Sequence, residues 1–373
     1  MNEGRQIDRR VFIQGLGALG LSEWTWRRAA AQAAATVPLQ WLAEEKGLMF
    51  GSSLALKYCV QSAAYQQLFV SQCDIATPEL HMKWDSLSSQ PGVYNFGNAD
   101  RFVAFCATNS MRIRGCTLVW HDALPAWLPS QLTPANGQAM LTNHIHKVAG
   151  HFAGKLYSWD VVNEVLDPAS RRPDGLRNTL WLENCGVDYL ERAFRATAEA
   201  DPSALLVWNE NYLELSNGFG VAKRTALLNL LDGMLARGVP IHGIGLQAHL
   251  RADQATALGD KSYEVFLGEL ARRGMKIFVT ELDVQDGTLP GDTGARDQAV
   301  AQIYSRFLSA TLRQPAVRGI VTWGLADPFS WLGGYRPRND GLPVRPLPFD
   351  ADFQPKAAYY AMAATLQSAP HRG

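Results

Sequence analysis

The chain has 373 residues, 47% of them hydrophobic, and its 35 acidic and 35 basic residues balance to a formal net charge of zero. This length suffices for a large buried core, and a neutral chain gives no electrostatic reason to expect nucleic acid or an anionic membrane as partner. A neutral substrate is the better expectation. The 11 Trp and 11 Tyr residues suit core packing and also stacking on sugar rings.

Residues 1–35 have the features of an export signal. Arg9 and Arg10 precede an apolar run rich in Gly and Leu, and a small-residue cleavage site, Ala-Gln-Ala, follows at 31–33. This order is typical of a twin-arginine signal and predicts a periplasmic or extracellular location. Charged residues within 23–28 interrupt the segment, so an uncleaved amphipathic leader is the alternative.

The cysteines predict neither a metal site nor a disulfide framework. They are Cys59, Cys73, Cys106, Cys116 and Cys185, an odd number without a CxxC pair. Most are expected to be small buried residues. A single bridge, such as one from Cys59 to Cys73, remains open for an exported protein.

Short apolar β-rich segments alternate with helical stretches from residue 40 to residue 368, without a linker between two halves. Helical patterns include 187–200 and 220–237, the second ended by Gly238. Eight strands are predicted, at 48–53, 74–78, 112–120, 156–162, 205–209, 243–247, 276–280 and 319–323. Eight strand and helix repeats predict an α/β fold, a single (β/α)₈ TIM barrel over 40–368 with its active site at the C-terminal ends of the strands.

Polar and aromatic residues stand at seven of the predicted strand ends. They are Glu79, Trp120 with His121, Asn163 with Glu164, Asn209 with Glu210, Gln247 with His249, Glu281 with Asp283, and Trp323. Because a parallel barrel gathers these ends at one mouth, the sequence predicts that the side chains form one site.

Glu164 and Glu281 are the natural catalytic pair. Hydrolysis of a glycosidic bond needs one carboxyl group that protonates the leaving oxygen and a second that captures the charge developing at the anomeric carbon. Glu164 ends an apolar strand, which favours the protonated form of a general acid. Glu281 lies near Asp283, and His249 from the neighbouring strand can donate a hydrogen bond that keeps Glu281 charged. A lone strand-end glutamate is more often a solvated residue, but two in such contexts favour catalysis.

Several short motifs follow one another in a fixed order after residue 45. The most specific are Trp159-Asp160-Val161-Val162-Asn163-Glu164 and Thr280-Glu281-Leu282-Asp283. The others include Thr77-Pro78-Glu79, Met82-Lys83-Trp84-Asp85, Thr117-Leu118-Val119-Trp120-His121, Gln247-Ala248-His249, and Trp323-Gly324 with Ser330-Trp331. In order and spacing these motifs resemble glycoside hydrolase family 10, the endo-β-1,4-xylanases.

The resemblance implies cleavage of internal β-1,4-xylosidic bonds in xylan with retention of configuration. It implies Glu164 as acid/base and Glu281 as nucleophile, with their carboxyl groups about 5 to 5.5 Å apart. Asn163 would bind the 2-hydroxyl of the sugar, and His249, backed by Asp283, would position Glu281. The other implied substrate-binding residues are Glu79, Lys83, Trp120, His121, Gln247, Trp323 and Trp331.

Three positions depart from the family pattern. Leu80 stands where the family usually has Asn, Cys116 where it has His, and Ala123 where it often has Gln. The resemblance places all three on the glycone side, so a retaining β-glycosidase for another or a decorated β-linked oligosaccharide is an alternative. A sugar-binding relative without catalysis is a further alternative, although the paired glutamates argue against it. The variant stretch 209–212 is left out of the predicted site.

No metal or organic cofactor is expected, because His121, His249 and the carboxylates lack a ligand spacing. No apolar run after the leader approaches the roughly 20 residues of a membrane span. The expected partner is xylan or a xylo-oligosaccharide. The sequence contains no separate carbohydrate-binding module, which favours soluble chains as substrate, and we expect a monomer.

Overall fold

The computed structural model describes residues 37–372, without the side chains of 255–257. The export signal predicted at 1–35 lies outside the described residues and stays a prediction.

Parallel strands form a closed barrel. The strands are β1 (Met49–Leu54), β2 (Ile75–Pro78), β3 (Arg112–Gly115), β4 (Ser158–Asn163), β5 (Leu205–Glu210), β6 (Gly243–Leu246), β7 (His249–Arg251), β8 (Lys276–Gln285) and β9 (Val317–Thr322). Neighbours pair in the order β1 to β6, then β8 and β9, and β9 pairs with β1, which closes eight strands into a ring. The predicted (β/α)₈ barrel is therefore confirmed.

Helices surround the barrel and connect its strands. They are α1 (Leu39–Glu44), α2 (Leu56–Gln61), α3 (Ala63–Gln72), α4 (Trp84–Leu87), α5 (Gly97–Thr108), α6 (Leu128–Gln131), α7 (Gly137–His151), α8 (Leu180–Cys185), α9 (Tyr189–Ala200), α10 (Gly218–Ala236), α11 (Lys261–Arg272), α12 (Thr293–Leu312), α13 (Leu332–Tyr335) and α14 (Ala357–Ser368). Among residues 37–372, none of these helices combines the length and the apolar character needed to cross a bilayer.

Local sequence explains where the helices begin and which face they bury. Asn217 caps α10 by accepting a hydrogen bond from Gly220 N, and Asp260 caps α11 in the same way through Tyr263 N. In α9 the buried positions Tyr189, Leu190, Ala193, Phe194, Ala196 and Thr197 follow helical spacing, so one stripe packs inward.

Two strands differ in length from the prediction by more than one residue. The strand predicted at 112–120 ends at Gly115, because Leu118 N and Val119 N donate to the consecutive carbonyls of Asp160 and Val161. In a regular parallel strand, only every second residue forms backbone hydrogen bonds to a given neighbouring strand. Two consecutive donors to the same neighbour therefore show that this stretch is not a regular strand. The strand predicted at 276–280 instead continues to Gln285, and the short β7, which was not predicted, pairs with this extension.

The interior of the barrel changes from apolar to polar toward the C-terminal ends of the strands. Met49, Ile75, Val207, Phe278 and Val321 form a buried apolar cluster among the strands. Above it lies a buried ion pair in which Arg114 donates to Asp160 at 2.5 Å. Arg114 also lies 5.8 Å from the Phe278 ring centroid. This filled interior leaves the loops at the strand ends to form the site.

Candidate active site

A chain of hydrogen bonds connects Glu164, which follows β4, with Glu281 in β8. Gln247 Nε2 donates to Glu164 Oε1 at 3.0 Å and to Asn163 Oδ1 at 3.1 Å. Asn209 Nδ2 donates to the same Asn163 oxygen at 3.0 Å and to Glu281 Oε1 at 2.7 Å. Three amide side chains therefore fix the two carboxyl groups relative to each other.

The second oxygen of Glu281 faces a histidine. His249 Nε2 lies 3.2 Å from Glu281 Oε2, and His249 Nδ1 lies 3.0 Å from Asp283 Oδ1. Burial alone would lower the pKa of His249, but the charges and hydrogen bonds of Asp283 and Glu281 raise it well above its ordinary value. Both ring nitrogens of His249 face carboxylate oxygens, and this arrangement favours the doubly protonated, positively charged imidazole. This arrangement depends on β7, which places His249 opposite Asp283.

Two tryptophans enclose this histidine. Trp331 Nε1 donates to Asp283 Oδ2 at 2.7 Å, and the Trp331 and His249 ring centroids lie 5.1 Å apart. Trp323 meets the same imidazole edge to face at 6.3 Å. The rings hold the imidazole from the sides, while its two nitrogens are held by carboxylates.

The backbone at Glu164 is in the left-handed region, with φ of 54°. Its N–H donates to Asn209 O at 3.0 Å, and its carbonyl accepts from Arg177 Nε at 2.9 Å. A left-handed conformation costs a residue with a Cβ atom about 1 to 2 kcal/mol, so the surrounding bonds must impose it. The turn takes the chain away from β4 immediately after Asn163.

His121 lies on the Glu164 side of the site. It lines a narrow recess together with Trp120, Asn163 and Glu164. Burial and the charge of Arg177 lower the pKa of His121, although Glu164 opposes this shift. His121 is therefore a neutral imidazole at neutral pH, in contrast to His249.

Two of the predicted tryptophans lie close to Lys83. Lys83 Nζ lies 5.1 Å from the Trp120 ring centroid and 5.9 Å from that of Trp323, both within cation–π range. Glu79 is 9% exposed, and burial raises its pKa while the charges of Lys83 and Lys57 oppose the rise. The site thus combines aromatic faces with a few charged groups.

Comparison with known proteins identifies this arrangement. The family model "Glycosyl hydrolase family 10" matches residues 38–365. The chain belongs to glycosyl hydrolase family 10.

The family 10 relatives match over most of their own length. Endo-1,4-beta-xylanase B of Thermotoga neapolitana is 32% identical over 334 residues, which cover 89% of this chain and 92% of the relative. Beta-1,4-xylanase of Dictyoglomus thermophilum is 34% identical, and the matched region covers 79% of this chain and 83% of the relative. Crystalline xylanase 10B of Thermotoga petrophila RKU-1, in complex with xylobiose, superposes with a TM-score of 0.80 at 32% identity, covering 89% of this chain and 98% of that one. The chain is thus a glycosyl hydrolase.

The three departures from the family 10 pattern lie in different surroundings. Leu80 is 37% exposed, whereas Cys116 is 3% exposed, as deep as Asn163. Burial raises the pKa of the Cys116 thiol well above its ordinary value, so this group is neutral. Ala123 shares a small recess with Lys83 and Trp120 and has a φ of 49°. Each position therefore offers an apolar surface or a weak donor.

Sequence reasoning missed Asn209. Its amide bonds both Asn163 and Glu281, and its own Oδ1 accepts from Thr280 Oγ1 at 2.7 Å. Room for this side chain comes from Gly245 in β6, because a Cβ there would lie 2.1 Å from Asn209 Oδ1. The available signal was its position at the end of a predicted strand, equivalent to that of Asn163.

The cysteines take no part in a bridge. All five cysteines are free and buried, including Cys59 and Cys73, so the bridge left open between them does not form. Within the described part of the chain, no group of three or more His, Cys, Asp or Glu residues could hold a metal ion.

Proposed function

We propose that this family 10 enzyme hydrolyses internal β-1,4-xylosidic bonds of xylan with retention of configuration. The hydrogen-bond chain that joins Glu164 to Glu281 carries the proposal, because a double displacement needs two carboxyl groups held in fixed relation on opposite sides of the bond.

Glu281 is the nucleophile in this proposal. Asn209 and the charged His249 hold its two oxygens, so the carboxylate is oriented and its charge is favoured. It attacks the anomeric carbon while the bond to the leaving oxygen breaks, and a covalent glycosyl-enzyme forms. Asn163 uses its oxygen for both described hydrogen bonds, which leaves its amide N–H groups for the 2-hydroxyl of the sugar.

Glu164 is the acid/base. It gives its proton to the leaving oxygen in the first step. It then takes a proton from the water that attacks the anomeric carbon and releases Glu281. Gln247 bonds one oxygen of Glu164, which orients the carboxyl group without supplying a charge.

Xylan as the substrate is supported by relatives named as xylanases and by a related structure that contains xylobiose. The chemistry of the site agrees with a neutral sugar chain. Trp120, Trp323 and Trp331 offer aromatic faces, and Lys83 and Glu79 offer hydrogen bonds to hydroxyl groups.

A retaining hydrolase of another or a decorated β-linked oligosaccharide is the second candidate. The observation in its favour is the exposed Leu80 together with Ala123 in the recess beside Lys83, where apolar groups replace potential hydrogen-bond partners. Such surfaces suit a chain whose hydroxyl groups are substituted.

The test is a panel of linear xylan, arabinose-substituted xylan, glucuronic-acid-substituted xylan and mixed-linkage β-glucan, with chromatographic sizing of the products. We expect a ladder of xylo-oligosaccharides from linear xylan, with the β-anomer appearing first in the NMR spectrum. Glu281→Gln protein serves as the control for contaminating activity. Release of monosaccharide alone would contradict endo action, an α-anomer would contradict retention, and activity confined to a substituted or different chain would select the second candidate.

A further inference from the structure

A buried ion pair lies behind Glu164. Glu210 is the last residue of β5, and Lys223 reaches it from α10. Both side chains are fully buried, with Lys223 Nζ 2.8 Å from Glu210 Oε2. The lysine also donates to Asn211 Oδ1 and lies 5.8 Å from the Tyr212 ring centroid. Because burying two charges is costly and adds little stability by itself, the pair points to a role in positioning.

The other oxygen of Glu210 holds the chain that follows Glu164. Glu210 Oε1 accepts from the backbone N–H of Leu166 at 3.0 Å and from Trp208 Nε1 at 3.1 Å. Leu166 is two residues beyond Glu164. The carboxylate thus joins α10, through Lys223, to the turn that carries Glu164.

This turn has to be imposed from outside. Glu164 has a φ of 54°, which is unfavourable for a residue with a Cβ atom. Asn209 O binds its N–H, and Arg177 binds its carbonyl. Glu210 supplies the next anchor along the chain. Two consecutive residues of β5 therefore hold the turn on both sides of Glu164.

We propose that the Glu210 and Lys223 pair is a positioning device for Glu164, which holds Leu166 N–H and thereby aims the Glu164 carboxyl group at the leaving oxygen. This inference rests on the acid/base role proposed above. Burial raises the pKa of Glu210, and the charge of Lys223 opposes that rise. Lys223 thus favours the ionised carboxylate, which is the stronger acceptor for Leu166 N–H.

A matched control lies just before the same strand. Asp201 is fully buried, and its carboxylate accepts from Trp159 Nε1 at 3.2 Å and from Gly154 N at 3.2 Å. Like Glu210, it accepts from an indole N–H and from backbone N–H groups, and it also accepts from the Ser203 hydroxyl at 2.8 Å. It precedes the first residue of β5, at the barrel end away from Glu164, so its loss disturbs packing without moving the acid.

The experiment measures kcat/KM, which reports the step in which the leaving group departs, for Glu210→Ala, Lys223→Met and Asp201→Ala on two substrates. One is an aryl xylobioside with an activated nitrophenol, which leaves without a proton, and the other is a xylo-oligosaccharide, which needs one. We expect the Glu210 and Lys223 variants to lose about 10- to 100-fold more on the oligosaccharide, the loss typical of a misplaced catalytic group. Asp201→Ala should change both rates in equal proportion. Glu210→Gln keeps an acceptor for Leu166 N–H and should recover part of the selective loss.

Equal losses on both substrates, or no loss, in folded Glu210→Ala and Lys223→Met proteins would overturn the inference. If Glu210→Ala gives no native circular dichroism spectrum, Lys223→Met and Glu210→Gln carry the same comparison. Glu164→Ala is measured alongside. If it loses activity selectively on the oligosaccharide and the pair variants do not, the positioning role alone is wrong. If Glu164→Ala shows no selectivity, the acid/base role and the positioning role fail together.

Discussion

Within the described residues, Glu281 has side-chain hydrogen bonds to both of its oxygens, from Asn209 and His249, whereas the side-chain bond of Glu164 comes from Gln247 alone. Glu281, the proposed nucleophile, is held by one amide and by His249. The backbone of Glu164, the proposed acid/base, is held by Asn209 O and Arg177. A group that keeps its charge until it attacks is best fixed directly, whereas a group that gives up and regains a proton needs orientation without a permanent ion pair.

The two histidines of the site show the same contrast. The pKa of His249, beside Glu281, is raised by Asp283 and Glu281 in spite of burial, whereas the pKa of His121, on the Glu164 side, is lowered by burial and Arg177. The surroundings therefore favour the charged imidazole at His249 and the neutral imidazole at His121. The same residue type supports opposite roles because its neighbours differ.

The largest expected effect comes from removing the charge at Glu281. Glu281→Gln keeps the shape and the acceptor oxygen toward Asn209 but cannot attack the anomeric carbon. We expect kcat on xylan and on aryl xylosides to fall on the order of 10⁴-fold or more, as for other lost nucleophiles. A variant that retains a tenth of the wild-type rate would show that Glu281 is only an electrostatic neighbour.

Much of the site could be predicted from the sequence, because the strand ends of a parallel barrel converge. Glu164, Asn163, Gln247 and Glu281 were placed in this way. The position of Asn209 at a strand end was visible in the sequence, but its hydrogen bonds were not predicted, because they depend on the absence of a Cβ atom at Gly245 in the neighbouring strand.

Two further features depend on contacts that local patterns do not contain. β7 has three residues, too few for a periodic signal, and it forms because β8 extends past Glu281 to pair with it. Glu210 was left out of the predicted site together with the rest of 209–212. It is buried because Lys223, thirteen positions along the chain on the following helix, reaches it.

The second-largest expected loss of activity comes from removing Glu164. Glu164→Ala removes the proton donor, so we expect kcat/KM to fall by about 10²- to 10⁴-fold on xylo-oligosaccharides and much less with an activated nitrophenol leaving group. Added azide should then restore turnover by attacking the glycosyl-enzyme, which yields a β-glycosyl azide. Equal losses on both substrates without azide rescue would remove the functional distinction between the two glutamates.

The third prediction tests sugar binding by changes that leave Glu164 and Glu281 in place. The triple variant Leu80→Asn, Cys116→His and Ala123→Gln adds hydrogen-bond partners worth about 0.5 to 1.5 kcal/mol each. We expect KM for linear xylo-oligosaccharides to fall on the order of 10- to 10³-fold, with little change in the pH dependence of kcat. Because Cys116 is buried, the changes at the exposed Leu80 and the half-buried Ala123 should also be measured without Cys116→His. An unchanged KM in both variants, with ordinary wild-type activity on linear xylan, would place these side chains away from the sugar.

The smallest expected effect tests the charge on His249. His249→Gln keeps polar contacts to Glu281 and Asp283 but removes the positive charge. The acid limb of the kcat/KM profile should therefore move up by roughly one pH unit, with a loss of about tenfold near the lower end of the profile.

The free energy of unfolding should depend on pH through the same charge on His249. The raised pKa of His249 means that its stabilising contribution is fully present below about pH 6.5, its value in the unfolded chain, and is lost as pH rises through the folded value. The difference in unfolding free energy between wild type and His249→Gln, measured by denaturation across pH, should thus shrink toward alkaline pH. His146→Gln, at an exposed histidine on α7, should show neither change. If the His249 variant keeps the wild-type acid limb and a pH-independent stability difference, the imidazole is neutral beside Glu281, and the two histidines do not differ in charge.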